Sequence, residues 1–171
     1  ALPIGSGIPK EEKGKVVGLV GGDHSTPLGF LDALAEKHDN FGILQIDAHM
    51  DLRESYEGFR YSHASIMTNA LTLKEVKRLV QVGIRDCASG EIKKMAESHG
   101  RIVTFLERDM RRDMFNGISW KKIVSSIVRK LPQKVYISFD IDGLDPALCP
   151  STGTPVPGGL SFEQASYLLE A

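Results

Sequence analysis

The residues of this chain best equipped for chemistry fall in three short stretches, each directly after a run typical of a buried strand: GGDHS at 21–25, QIDAHMDLR at 45–53 and SFDIDGLDPALCP at 138–150. In an extended segment side chains alternate between two faces, so Asp47, His49 and Asp51 are expected on one side and Ala48, Met50 and Leu52 on the other. Asp140 and Asp142 repeat the pattern against Phe139 and Ile141, and His24 adds a second imidazole. Polar side chains in consecutive places on one side of a strand end are hard to explain by packing. They suit metal ligation.

Residues two apart along a strand lie ~6.6 Å from one another, and the ions of two-metal sites lie ~3.5–4 Å apart, so a central carboxylate can bridge two ions while its neighbours reach one each. The candidate ligands are His24, Asp47, His49, Asp51, Asp140 and Asp142. With Asp47 and Asp140 shared, each of two divalent ions would receive about four protein contacts. A set rich in carboxylate, with some imidazole and no thiolate, suits two Mn(II) ions; zinc, iron and cobalt accept the same ligand types. Four carboxylates balance two divalent ions, and a bridging hydroxide leaves the centre negative. Such a centre attracts a cationic substrate.

Other readings of these stretches are weaker. The double glycine at Gly21 and Gly22 could cradle a phosphate, but Asp23 and His24 follow where cations would be needed; alternatively Asp23 or Ser25 caps a helix and His24 packs. An EF-hand at 140–151 fails because the glycine is misplaced, Ser151 stands where a glutamate is needed, and the flank is a strand. Asp145 before Pro146 reads as a turn residue.

The elements that must position these side chains alternate short β-rich runs with helical periods, the pattern of βα units around a parallel sheet. Buried strands are expected at 16–20, 41–46, 79–83, 101–105 and 134–139. A helix is expected after Thr26 as N-cap and Pro27, with Leu28, Leu31, Leu34 and Ala35 on one face. Others are expected at 89–98, ended by Gly100, after Ser119, and after Ser161, whose capping box uses Gln164. Open α/β sheets bind ligands outside the carboxyl ends of their strands, which is where the acids and histidines fall.

Composition narrows the partners. The chain has 171 residues, 21 Lys or Arg against 22 Asp or Glu, and 42% apolar content. That is one ordinary domain, 1–171, without the charge imbalance that nucleic acid or an anionic membrane would need. Cys87 and Cys149 lack disulfide or zinc spacing, so a reducing, cytoplasmic setting is expected. No run approaches a membrane span of ~20 apolar residues. The sequence begins at Ala1 without Met and stops within a predicted helix, so it is expected to be a piece of a longer protein.

The three motifs in order, with GTP at 153–155, resemble the ureohydrolase family of arginases, agmatinases and guanidinobutyrases. The resemblance implies an arginase-like, doubly wound, three-layer α/β sandwich with a mainly parallel sheet, here lacking N- and C-terminal parts. It implies one metal held by His24, Asp47, Asp51 and Asp140, a second held by Asp47, His49, Asp140 and Asp142, and a homo-oligomer. His63, in YSHAS, resembles the family's proton-shuttling histidine, a residue type that titrates near neutral pH. His38 and His99 match nothing and are expected at helix ends. The stretch 51–65 looks more like agmatinases than arginases, and GIRD at 83–86 fits them too, although a structural ion pair on a loop explains Arg85 as well. A glutamate that contacts the guanidinium in the family lies past Ala171.

The implied reaction is hydrolysis of a small cationic guanidino substrate, agmatine foremost, to urea and putrescine. A resonance-stabilised guanidinium resists plain water, and two metal ions acidify a shared water enough to supply hydroxide. Asp51 would accept a hydrogen bond from it, and His63 would relay a proton to the leaving amine. Rival readings are arginase, guanidinobutyrase or formiminoglutamase activity, or a catalytically incomplete subunit whose metals only stabilise the fold.

Overall fold

The structure, a computed structural model, describes residues 16–171. Its frame is a four-stranded, wholly parallel sheet built from β1 (Phe41–Ile46), β2 (Val76–Ile84), β3 (Ile102–Leu106) and β4 (Val135–Phe139), in spatial order β3-β2-β1-β4. Among the described residues six α-helices connect and cover it: α1 (Leu28–Lys37), α2 (Ile66–Ala70), α3 (Ser89–Glu97), α4 (Glu107–Phe115), α5 (Trp120–Val128) and α6 (Phe162–Glu170).

Alternation along β1 sends Phe41 and Ile43 to one core and Leu44 and Ile46 to another. The first core takes Leu31 of α1, the apolar side of α2 and Met95 of α3; the second takes Met110 of α4, Ile123, Val124 and Ile127 of α5, and Ala165 and Leu168 of α6. Helices on both faces of a parallel sheet make a three-layer, doubly wound sandwich. The chain adds β2 and β3 on one side of β1 and then returns to add β4 on the other. The strand order therefore reverses between β1 and β4, which opens a crevice at their carboxyl ends.

The strand expected at 41–46 matches β1, and those at 79–83, 101–105 and 134–139 fall on β2, β3 and β4 with small shifts at the ends. The expected strand at 16–20 is not there. Val16 and Val20 are almost fully exposed, and Leu19 and Val20 border a cleft along β4 without entering the ladder. A short apolar run becomes a strand only when a neighbour takes up its backbone hydrogen bonds, and periodicity carries no information about that neighbour. The edge position of β4 has the same consequence: Val135, Ile137 and Phe139 remain over a third exposed, although this strand was expected to be buried.

At α1, Pro27 occupies the cap position and Thr26 instead donates its hydroxyl to the Asp23 carbonyl. The capping box of α6 forms as expected: Ser161 Oγ accepts from the Gln164 N–H and Gln164 Oε1 from the Ser161 N–H. His38 caps the C-terminus of α1, and His99 follows α3 in the left-handed region just before Gly100. Among the described residues no helix is long and apolar enough to cross a membrane.

Gly143 sits where the segment after β4 presses on the end of β1. A Cβ there would lie 2.8 Å from the Asp47 backbone nitrogen and 3.0 Å from the Ile46 carbonyl carbon. Gly143→Ala should therefore lower stability by about 1–3 kcal/mol through overpacking. Gly90→Ala, in α3 with open space around it, should be neutral or raise stability by up to about 1 kcal/mol. Urea unfolding midpoints of the two variants check the contrast.

Candidate metal centre

The side chains after β1 reach the crevice by a route that differs from a continued strand. The continuous ladder stops at Ile46, with one further parallel bridge from His49 to Asp86, yet Ala48, Met50 and Leu52 are buried at 1% exposure or less while Asp47, His49 and Asp51 face the crevice. The alternation survives because this irregular segment is pinned from outside. Arg85 and Asp86 donate backbone N–H groups to the Ala48 carbonyl, Leu52 N–H reaches Glu91 Oε1, and Met67 N–H reaches the Asp51 carbonyl. Asp51 itself has φ of 53°, a left-handed conformation that aspartate tolerates better than most side chains. Buried Glu91 also accepts from the Ala88 N–H, so one carboxylate joins the start of α3 to the segment that carries Asp51.

After β4, Asp140 Oδ1 accepts the Asp142 N–H at 3.1 Å and opens a short 3-10 turn, Ile141–Gly143. Asp142 is thereby turned inward. Its Oδ1 accepts the Ala48 N–H at 3.1 Å, tying the two ligand-bearing segments together, and its Oδ2 lies 3.1 Å from His49 Nδ1.

Around this framework two groups of ligand-competent side chains form, His24 with Asp47 and Asp51, and Asp47 with His49 and Asp142. Asp47 belongs to both. Its Oδ2 lies 3.0 Å from His24 Nδ1, and its Oδ1 lies 3.5 Å from His49 Nδ1 while accepting the His49 N–H at 2.7 Å. Asp140 Oδ2 stands 3.4 Å from the same His24 nitrogen, on the side of the first group. The six residues singled out in the sequence thus meet in one place, with Asp47 between the two imidazoles and Asp140 nearer one of them. Asp23, beside His24, instead folds onto Ser25, accepting its N–H and hydroxyl.

The donor chemistry fits divalent cations. His24 Nδ1 is buried and has oxygens of Asp47, Asp51 and Asp140 within 3.4 Å, yet none is aligned to accept a hydrogen bond, so it has no such partner. A nitrogen aimed among three carboxylates is what a shared cation needs. The far side of the ring is held by Ser138, whose Oγ lies 2.8 Å from Nε2, the kind of outer contact that sets a ligating imidazole's tautomer and angle. Without a metal, burial works against a charge on His24, but the adjoining Asp47 and Asp51 outweigh it and raise its pKa to about 10. His49 is raised to about 10 by Asp142 and Asp47. Burial lifts Asp51 to about 7 against the pull of His24, whereas Asp47 stays well below the usual carboxylate range because both histidines outweigh its own burial.

The crevice is a cavity of about 400 Å³. His63, at the start of a 3-10 turn (His63–Ser65), lines it with its ring edge-on to Tyr56, and so do Arg53, Asp86 and Thr152 to Thr154. Arg85 departs from the loop ion pair expected of it. Its guanidinium donates to the carbonyls of Gly83, Asp142, Leu144 and Val156, clasping the segments after β2 and β4. Sequence patterns missed Ser138 and Gln45 because both sit inside strands, where only their unsuitability for a buried sheet marked them. Gln45 Nε2 donates to Asp47 Oδ2 at 2.7 Å.

A family model described as the arginase family matches residues 10–171. The N(1)-aminopropylagmatine ureohydrolase of Thermus thermophilus is 42% identical over 158 residues, which cover 92% of this chain and 50% of that enzyme. Among solved structures, an arginase from Medicago truncatula is similar with a TM-score of 0.74 and 32% identity, covering 88% of this chain and 45% of that one. The agmatine ureohydrolase of Thermoplasma volcanium is similar at a TM-score of 0.73 and 32% identity, over 87% of this chain and 47% of the other. The chain spans about half the length of the curated relatives it matches.

The raised histidine pKa values carry a measurable consequence. At pH 7.5 both imidazoles hold protons in the metal-free chain, Asp51 holds a fraction of one, and ligation removes them. Binding of Mn(II) should therefore release about two protons per chain, and affinity should rise with pH between about 6 and 9. Calorimetry in buffers of different ionisation enthalpy reads the number directly; release near zero would contradict protonated imidazoles that give up their protons to the metal.

Proposed function

The chain belongs to the arginase family, and from that premise we propose that it carries the metal centre of a ureohydrolase that splits a small cationic guanidino compound, agmatine foremost, into urea and an amine. The observation that carries the reading is the double membership of Asp47, which sits between two imidazoles in a cavity open to a small molecule. His24, Asp47 and Asp51, with Asp140 beside them, would hold one divalent cation; Asp47, His49 and Asp142 would hold the other. Manganese is the metal this oxygen-rich set favours.

When bound, such ions supply a water acidified enough to act as a nucleophile at neutral pH. The remaining work belongs to the chain. Its carboxylates draw the guanidinium into the cavity and hold its planar carbon against the ligand cluster. Asp51, held in place by the Met67 N–H on its carbonyl, accepts a hydrogen bond from the attacking water and orients it. Attack turns the planar carbon tetrahedral. The carbon–nitrogen bond to the alkyl chain then breaks, and the amine leaves with a proton relayed by His63 from the cavity wall. Urea and the protonated amine account for all atoms of guanidinium and water.

Preference for agmatine over arginine rests on residues 51–65, where Leu52, Arg53, Tyr56, Glu57 and Gly58 follow the agmatinase-like pattern and the small polar residues of arginases are missing. The name of the Thermus thermophilus relative favours a second reading, in which the substrate is agmatine extended by an aminopropyl group.

Urea release by the manganese-loaded full-length protein should be at least tenfold more efficient, as kcat/KM, with agmatine or its aminopropyl derivative than with arginine. His63→Asn should lower kcat by about 10²–10⁴ with little change in bound manganese. Two manganese ions per chain without turnover of any guanidino compound would instead support a purely structural centre.

A further inference from the structure

At the middle of the sheet, where Val and Ile are the usual occupants, stand two glutamines with no exposed surface, Gln45 of β1 and Gln81 of β2. The strand register sets Gln45 against Gln81 and Gln81 against Thr104 of β3. Burying primary amides is unfavourable unless their polar atoms are bonded. Here the bonds form one chain across the sheet. Thr104 Oγ1 donates to Gln81 Oε1 at 2.8 Å, Gln81 Nε2 donates to Gln45 Oε1 at 2.7 Å, and Gln45 Nε2 donates to Asp47 Oδ2 at 2.7 Å.

The direction of this chain is not free. An ionised carboxylate only accepts, so Gln45 must turn its NH₂ group toward Asp47 and its oxygen toward Gln81. Gln81 must then present its own NH₂, and its oxygen is left for a hydroxyl donor, which Thr104 supplies. The second N–H of each glutamine binds the ligand-bearing segment, Gln45 at the His49 carbonyl and Gln81 at the Met50 carbonyl. Both the carboxylate of Asp47 and the backbone carbonyls of His49 and Met50 are thus fixed from within the sheet. Asp47 Oδ1 is left for the His49 N–H, and Oδ2 keeps its place 3.0 Å from His24 Nδ1.

We propose that Gln45, Gln81 and Thr104 are positioning residues of the metal centre: a relay that sets the rotation of the Asp47 carboxylate and thereby the affinity of the centre for its cations. The proposal rests on Asp47 being a metal ligand. Thr104 touches neither a candidate ligand nor the segment that carries them among the described contacts, so its influence must pass through Gln81, which acts both on Gln45 and on the Met50 carbonyl.

Manganese binding to the full chain, followed by calorimetry and by the electron paramagnetic resonance spectrum of the bound Mn(II) pair, tests the relay. Gln45→Met and Gln81→Met should each weaken manganese binding about 10- to 100-fold and alter the spectrum in the same way. The double variant Gln81→Met with Thr104→Val should bind within about twofold of Gln81→Met alone, because Thr104 acts through Gln81. Thr104→Val, nearly isosteric at a half-buried position, should weaken binding about threefold, and Thr104→Ser, which restores the hydroxyl, should return it to the parent value. That pair carries the test if Gln81→Met does not fold. Parent-like affinity and spectrum in Gln81→Met or Thr104→Val, or additive losses in the double variant, would overturn the relay. Asp47→Asn separates the two levels: if it binds manganese as the parent does, the metal-centre reading fails as well, whereas its loss of manganese beside parent-like glutamine variants refutes the relay alone.

Discussion

Three carboxylates that exclude nearly all solvent, Asp47, Asp51 and Asp142, and a fourth, Asp140, half-buried beside them, converge on two imidazoles. Such a concentration of negative charge away from water is strongly unfavourable unless cations answer it. Protons on His24 and His49 answer part of it, which is why both imidazoles hold theirs far above the ordinary range. Divalent cations answer it more fully. Much of the surrounding structure serves to keep the acids from moving apart.

The fold meets that demand at the one place where a doubly wound sheet provides a crevice. The reversal of strand order between β1 and β4 leaves their carboxyl ends open to a ligand, and the two segments that continue past them carry five of the six candidate ligands. Hydrogen bonds then lock one segment to the other: Ala48 N–H to Asp142, Asp140 N–H to the Ile46 carbonyl, and Arg85 between them, its N–H on the Ala48 carbonyl and its guanidinium on those of Asp142 and Leu144. Gly143 permits the approach because nothing larger fits against Asp47. Ser138 and Gln45, anchored in the strands themselves, orient His24 and Asp47 from behind. Ligands placed by rigid strand ends and held by an outer layer of contacts form a preorganised site rather than one assembled by the ion.

Much of this was legible in the sequence because it is local. The apolar run 41–46, the capping box at Ser161 and Gln164, and the spacing of acids and histidines after strands each express themselves within a few residues. The side chains that alternation selects do face the crevice, though by a partly different route: Asp51 through a left-handed backbone and Asp142 through a 3-10 turn, not through extension of β1 and β4. What stayed hidden is non-local. Whether residues 16–20 join a sheet depends on a neighbour, and the exposure of β4 on its place at the edge. The role of Arg85 depends on carbonyls up to 71 positions away, and the glutamine chain exists only because β1, β2 and β3 align. Pattern reading sees a glutamine in a strand; only register shows what it is bonded to.

The central claim is that Asp47 is shared between two cation sites. X-ray anomalous scattering at the manganese edge, from crystals of the manganese-loaded protein, tests it most directly. Two peaks per chain are predicted, each in contact with one oxygen of Asp47, one on the His24 side and one on the His49 side. A single peak, or two peaks that Asp47 does not join, would contradict the account.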